Sequence, residues 1–199
     1  MFTKVGTAPF SLAVMLMGAL TPLAFAIAAF SDGYWTFNIN TLSDLGISSD
    51  DFARNLFTAT CIIGGACTAF FGYGKLMLKH GLDAAGGFIL VIGGVFLIAV
   101  GIFDETTIVH NYVAMGYFIM AGVAMFVSLF ADYQNKRFLT LSATIVALCM
   151  AFGSMPGFTI AGVEVISVVA ICMWTFCQGL SFSFSKDINK ETDNGTVTE

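Results

Sequence analysis

Residues 84–103 read AAGGFILVIGGVFLIAVGIF, a run with no charged side chain. About 20 apolar residues in a helix are enough to cross the hydrocarbon core of a bilayer. The rest of the chain has the same character, since 57% of its 199 residues are hydrophobic and only 11% are charged. A soluble domain carries about 25% charged residues, so we expect an integral membrane protein.

Five more runs of similar length lie on either side of this one, separated by polar segments. All six are apolar throughout instead of alternating with period two, which favours helices over barrel strands. The sequence therefore predicts an all-α fold: a polytopic six-helix transmembrane bundle, formed by one domain over residues 1–180. The predicted spans are residues 10–30, 54–73, 84–103, 109–131, 138–155 and 160–180. Residues 181–199 are rich in Ser, Asp, Asn and Thr, which predicts a disordered polar tail.

The basic residues indicate how the bundle is oriented. With six spans, seven of the eight Lys and Arg side chains fall on one side, and only Arg54 falls on the other. Lys and Arg concentrate on the cytoplasmic side, so we expect both termini in the cytoplasm and the tail with them. An alternative stays open, because Ala24-Phe25-Ala26 resembles a signal-peptide cleavage site and cleavage would leave five spans. The seven are Lys4, Lys75, Lys79, Lys136, Arg137, Lys186 and Lys190.

Glycines recur at intervals of seven residues in two of the spans. Gly87, Gly94 and Gly101 follow this spacing in the third span, and Gly65 and Gly72 follow it in the second. Seven residues make about two helical turns, so these glycines share a face that admits a neighbouring backbone. We expect them to be helix-packing residues that join the second and third helices in a tight antiparallel pair. A path for a substrate along the same face is the alternative.

The residue types that usually hold cofactors are sparse. The five cysteines lie inside spans without metal-ligand spacing and behave as small apolar residues. His80 and His110, the two histidines, fall on opposite sides of the membrane and cannot share a metal. We therefore expect no metal and no cofactor. The eight basic residues form no block, which argues against nucleic acid as a partner.

Polar residues concentrate on the side that the topology places outside, and they form the candidate ligand-binding site. A carboxylate within the sixth span is costly unless something compensates its charge. The alternative is structural, with these side chains hydrogen-bonded across helices to fix the first loop. A hydrolytic triad of Ser43, His110 and Asp44 or Asp104 is a third possibility, and catalytic residues stay unassigned. The candidates are Ser43, Asp44, Arg54, Asp104, Glu105, His110 and Glu164.

Six short pieces of sequence follow one another along the chain: 43–46 (SDLG), Phe57, Gly64-Gly65, 101–103 (GIF), His110 and 162–164 (GVE). In their order and spacing, they resemble the multipass membrane family catalogued as domain of unknown function 998. That family is distantly similar to the Frag1, DRAM and Sfk1 group of six-helix proteins. The resemblance implies six helices and the plasma (cell) membrane, and it brings no established activity. Val165 stands where the family usually has Arg, which argues against a Glu–Arg ion pair at Glu164.

Three classes of function remain open from the sequence. The first is a regulatory or binding module whose outer-leaflet pocket recognises a lipid headgroup or a small polar ligand. The second is a structural subunit that assembles with a membrane-protein partner. The third is an enzyme or transporter acting on a lipid or a solute. Few polar residues lie at mid-membrane depth, which argues against transport. Whether the protein is an enzyme is left undecided.

Overall fold

The computed structural model describes residues 6–184, and these form six α-helices and one short 3-10 helix. The all-helical prediction is confirmed for this part of the chain. The helix bounds are α1 Ala8–Asp32, α2 Asp51–Leu78, α3 Leu82–Ile102, α4 Ile108–Gln134, α5 Phe138–Ser154 and α6 Ile160–Ser183, and the 3-10 helix is Ser43–Ile47.

Five of these helices are long and apolar enough to cross a membrane, and α5, with 17 residues, is shorter. The number of spans and the side of the membrane on which each terminus lies stay predictions. We call the end of the bundle that carries residues 33–50, 103–107 and 155–159 the loop end. The opposite end, with the connections 79–81 and 135–137, is the hairpin end.

Four of the helices, α1, α2, α4 and α6, extend beyond the apolar runs that predict them, whereas α3 and α5 each end one residue before the predicted end. The second span was expected to end at residue 73, whereas α2 continues through Lys75 to Leu78. Backbone hydrogen bonding does not stop at the first charged residue, because a long side chain can carry its charge away from the helix axis. Residues 181–183, at the start of the predicted tail, belong to α6. Residues 185–199, the rest of that tail, lie outside the described residues.

Local sequence explains where the helices of the loop end start and stop. The Asp50 carboxylate accepts a hydrogen bond from the Phe52 amide at 3.2 Å and caps α2. The Thr159 hydroxyl accepts from the Gly162 amide at 3.3 Å and caps α6 in the same way. Such caps satisfy amides that have no partner inside the helix. Gly33 ends α1 in the left-handed region, at φ 71°.

The six helices are arranged in a closed ring. Each helix packs against the next one along the chain, and α1 packs against α6. The α2–α3 pair is the most intimate, because a Cβ on Gly65 would lie 2.5 Å from the Gly94 carbonyl oxygen. A Cβ on Gly72 would lie 2.5 Å from the Gly87 carbonyl oxygen. The backbones of α2 and α3 therefore touch at two levels, two helical turns apart.

Candidate functional site

The segment 33–50 lies across the loop end and is fastened to three helices. On the α6 side, the Thr159 amide donates to the Asn38 side-chain oxygen at 2.8 Å, and the Thr159 hydroxyl donates to the Asn38 carbonyl at 2.6 Å. On the α1 side, Ser48 donates to Asp32, and Ser31 donates to Asp50. The hydrogen bond from Ser31 lowers the pKa of the Asp50 carboxyl group.

The fastening to α4 is a direct contact between Ser43 and His110. The Ser43 Oγ lies 2.9 Å from His110 Nε2, and Ser43 and His110 are only 8% and 2% exposed. His110 Nδ1 lies 2.7 Å from the Phe103 carbonyl oxygen. A carbonyl oxygen can only accept, so in the neutral ring the proton belongs on Nδ1. Nε2 then presents its lone pair to the Ser43 hydroxyl, which donates to it.

Three carboxyl groups gather around this pair. The Glu164 carboxyl group lies near the backbone amides of Leu42 and Ser43 and close enough to Glu105 and Asp44 to interact with both electrostatically. Burial raises the pKa of Glu105, and the neighbouring Asp44 carboxylate adds to that effect. Glu105 Oε2 is buried without a hydrogen-bond partner among the described residues. The first loop, the α3–α4 connection and α6 thus bring polar groups to one place.

Two of the predicted site residues point elsewhere. Arg54 is paired with Asp51 and donates to the Ser48 carbonyl at 2.8 Å, so its charge serves the start of α2 and no contact with Glu164 is seen. Asp104 accepts from the Thr106 amide at 3.1 Å and closes its own turn. Neither Asp44 nor Asp104 contacts His110 Nδ1, because that nitrogen bonds to the Phe103 carbonyl. The Ser–His–Asp triad is therefore incomplete, whereas its Ser–His contact is present.

A narrow crevice descends from the polar groups into the bundle. Side chains of α1, α2, α3, α4 and α6 line it, with Ser43 and Glu164 toward the loop end and Trp174 deeper. Its α1 wall runs from Phe25 to Val14, about 16 Å along the helix. The space open to the centres of water-sized molecules totals about 70 Å³, enough for roughly five waters. Over such a length, this volume describes a slot for a single chain.

Among the described residues, no group of three His, Cys, Asp or Glu side chains is arranged to hold a metal ion.

A family model described as protein of unknown function (DUF998) matches residues 15–181, nearly the whole membrane domain. The chain belongs to the DUF998 family. No curated protein and no solved structure matches it. The resemblance found from the sequence is confirmed as far as this family, and the more distant similarity to the Frag1, DRAM and Sfk1 group stays a prediction.

The DUF998 chain also holds a charged cluster at the hairpin end that the sequence reasoning missed. The Arg137 guanidinium lies 2.8 Å from both Asp83 oxygens and 3.0 Å from Asp132. The Lys75 ammonium lies 3.5 Å from Asp83 and donates to the Gln178 side-chain oxygen at 3.4 Å. The Gln178 side-chain nitrogen in turn donates to Asp132 at 2.8 Å. We call these five residues the charge network.

The charge network is buried and electrically balanced. Lys75 is 2% exposed and Asp132 1%. Its two cations and two carboxylates come from α2, α3, α4 and the α4–α5 connection, and Gln178 comes from α6. The available signal was the position of Asp83, Asp132 and Gln178 inside or next to apolar helices, where polar residues are costly without partners. Lys75 and Arg137 had been interpreted only as evidence for orientation.

Proposed function

We propose that this DUF998 protein is a membrane-embedded binding module for an amphiphilic ligand. The polar group of the ligand lies beside Ser43 and Glu164, and its apolar chain extends down the crevice toward Trp174. The observation that carries the proposal is the continuity of the crevice, which joins a buried polar cluster to an apolar slot. Sites for small ligands typically combine an apolar wall with a few convergent polar groups.

The charges around the crevice favour one class of ligand. Glu164 is the only charged side chain among the described residues that line it. Glu105 and Asp44 add negative charge nearby. In an environment of low dielectric constant, these carboxyl groups repel a phosphate or carboxylate headgroup. We therefore infer an uncharged or cationic polar group, such as an alcohol, an ester or an amine.

The proposed orientation determines where the ligand comes from. With the basic residues on the cytoplasmic side, the loop end faces the outside of the cell and the crevice opens near the outer leaflet. The plasma membrane is the location that the family resemblance implies. The ligand is then a lipid of the outer leaflet or an amphiphile that reaches it from outside.

Trp174 supplies a test, because it lines the crevice and its side chain is fully buried. The full chain carrying Trp35→Phe leaves Trp174 as the single tryptophan. In nanodiscs, this variant is titrated with single-chain amphiphiles brominated near the chain end and bearing a glycerol, amine or phosphate headgroup. We expect saturable quenching of Trp174 fluorescence by the glycerol or amine compound, and none by the phosphate compound beyond non-saturable background.

Two glycines provide a matched pair of variants. A Cβ on Gly64 would lie 3.4 Å from the Met17 side chain in the crevice wall, so Gly64→Leu fills the crevice. A Cβ on Gly122 would meet nothing within 4 Å, so Gly122→Leu adds the same bulk elsewhere. The proposal requires quenching to be lost in the first variant and kept in the second. Equal saturable quenching in both would show that the ligand does not occupy the crevice.

A further inference from the structure

We propose that Ser43 and His110 form a nucleophile–base pair that hydrolyses an acyl ester whose chain lies in the crevice. This inference rests on the proposed function, because the bound chain is what brings the ester carbonyl to Ser43. Lipid monoesters with an uncharged alcohol headgroup form the substrate class, consistent with the charges around the crevice.

The contact has the geometry that a nucleophile needs. An Oγ–Nε2 distance of 2.9 Å is within the range for proton transfer from a serine to its general base. The tautomer is also the required one, because the Phe103 carbonyl at 2.7 Å keeps the proton on Nδ1. Phe103 thus orients the ring through its backbone, as a carboxylate does in a complete triad.

The Ser43 side chain is open to the crevice, whereas the His110 ring is shielded from it. Ser43 lines the crevice, whereas His110 is 2% exposed and is not among the lining residues. The backbone amides of Leu42 and Ser43 lie near the Glu164 carboxyl group, at the start of the 3-10 helix that carries the Ser43 hydroxyl. Amides in this position can donate to the oxyanion of a tetrahedral intermediate once the Glu164 side chain turns away.

The reaction balances with water as the only co-reactant. The Ser43 Oγ attacks the ester carbonyl carbon while its proton moves to His110 Nε2. The ester C–O bond then breaks, and Nε2 returns the proton to the departing alcohol. Water attacks the acyl-serine, gives one proton to Nε2, and releases the fatty acid as Nε2 reprotonates Ser43. One ester and one water become one acid and one alcohol.

A purely structural role predicts the same contact, so the test needs variants that separate the two roles. His110→Gln keeps a side chain able to hydrogen-bond to Ser43 and cannot act as a base. Ser48→Ala is the matched control, because Ser48 is another buried hydroxyl of the same segment, hydrogen-bonded to Asp32. Thermal unfolding of each purified variant establishes that it is folded.

The experiment treats the full chain in nanodiscs with a decyl fluorophosphonate and locates the adduct by peptide mass spectrometry. We expect phosphonylation of Ser43, no adduct in Ser43→Ala, and an unchanged rate in Ser48→Ala. In His110→Gln the rate should fall by about 100-fold or more. Release of fatty acid from a decanoyl monoester should follow the same order among the variants.

The inference is overturned by no adduct, by an adduct at another serine, or by equal rates in wild type and His110→Gln. The Trp174 titration separates this failure from failure of the proposed function. Saturable quenching without phosphonylation of Ser43 overturns the catalytic pair and leaves the binding module standing. Absence of both overturns both.

Discussion

Replacing Arg137 by Gln tests whether the charge network holds the hairpin end together. Arg137 contacts Asp83 and Asp132 at once, and its side chain is only 19% exposed. Without it, two buried carboxylates share the single positive charge of Lys75. Removing one partner from a buried ionic pair typically costs about 3–5 kcal/mol, because the remaining charge has lost its compensation. We expect Arg137→Gln to lower the free energy of unfolding by about that amount.

The neighbouring Lys136 gives a control that removes the same charge from the same connection. Lys136 is exposed, and its side chain takes part in no hydrogen bond or ion pair with the described residues. Lys136→Gln should change stability by no more than about 0.5 kcal/mol. Both variants are unfolded by heat in the same mild detergent and followed by circular dichroism. For a chain of this size, the expected loss in Arg137→Gln corresponds to a fall in Tm of about 6 °C or more.

A second substitution checks the cause. Adding Asp83→Asn to Arg137→Gln restores charge balance, since Lys75 and Asp132, joined through Gln178, remain as one positive and one negative charge. We expect the double variant to recover part of the lost stability, a coupling typical of residues in one network. The reasoning is refuted if Arg137→Gln and Lys136→Gln unfold at the same temperature, or if Asp83→Asn adds its own full penalty to that of Arg137→Gln.

Three further predictions concern packing, titration and topology. Gly72→Val forces α2 away from α3 and should cost about 1–3 kcal/mol of stability in thermal unfolding, whereas Gly122→Val, facing open space, should cost far less. The raised pKa of Glu105 means that its contribution to stability is largest below the unfolded pKa and is lost as pH rises through the folded pKa; Glu105→Gln should therefore raise Tm at pH 7 more than at pH 4, and an equal shift at both would contradict this. For topology, cysteine is introduced at Tyr34, which is 87% exposed in the first loop, or at Lys136, and each variant is treated with a membrane-impermeant maleimide. The two cysteines should be labelled from opposite sides of the membrane, and labelling from the same side would refute the six-span topology.

The helices and part of the site were predictable because their signals are local in sequence. A run of apolar residues determines a membrane helix by its own length, and the interval of seven between Gly65 and Gly72 determines a face of α2 without knowledge of its neighbour. His110 was predictable because a connection of only a few residues places it close to Glu105, and Ser43 was predictable because it lies in a polar loop on the same side of the bundle. The partner of His110 Nδ1 was not predictable, since a backbone carbonyl leaves no trace in the amino-acid type.

The charge network could not be assembled from sequence alone. Lys75 and Gln178 are 103 positions apart and meet only because the closed ring brings side chains of α2 and α6 together in its interior. Each charge also had a sufficient local explanation, as a cytoplasmic basic residue or as a polar helix end. Arg54 illustrates the opposite error, because its position near the site favoured a role there. In the structure it forms an ion pair with Asp51, three residues earlier on the same helix.

The ring of helices makes the nascent chain pass through an unfinished stage. The α1–α6 contact is close, because a Cβ on Gly18 would lie only 2.7 Å from the Cys172 carbonyl oxygen, and α6 is the last of the six described helices to leave the ribosome. Until α6 leaves the translocon, the ring of helices is open between α5 and α1, and Asp132 lacks the hydrogen bond that Gln178 donates to it. Such an intermediate presents buried polar groups to lipid, which is a signal that quality-control proteases of the membrane can recognise. Chains truncated before residue 160 should therefore be degraded rapidly instead of persisting as a five-helix bundle.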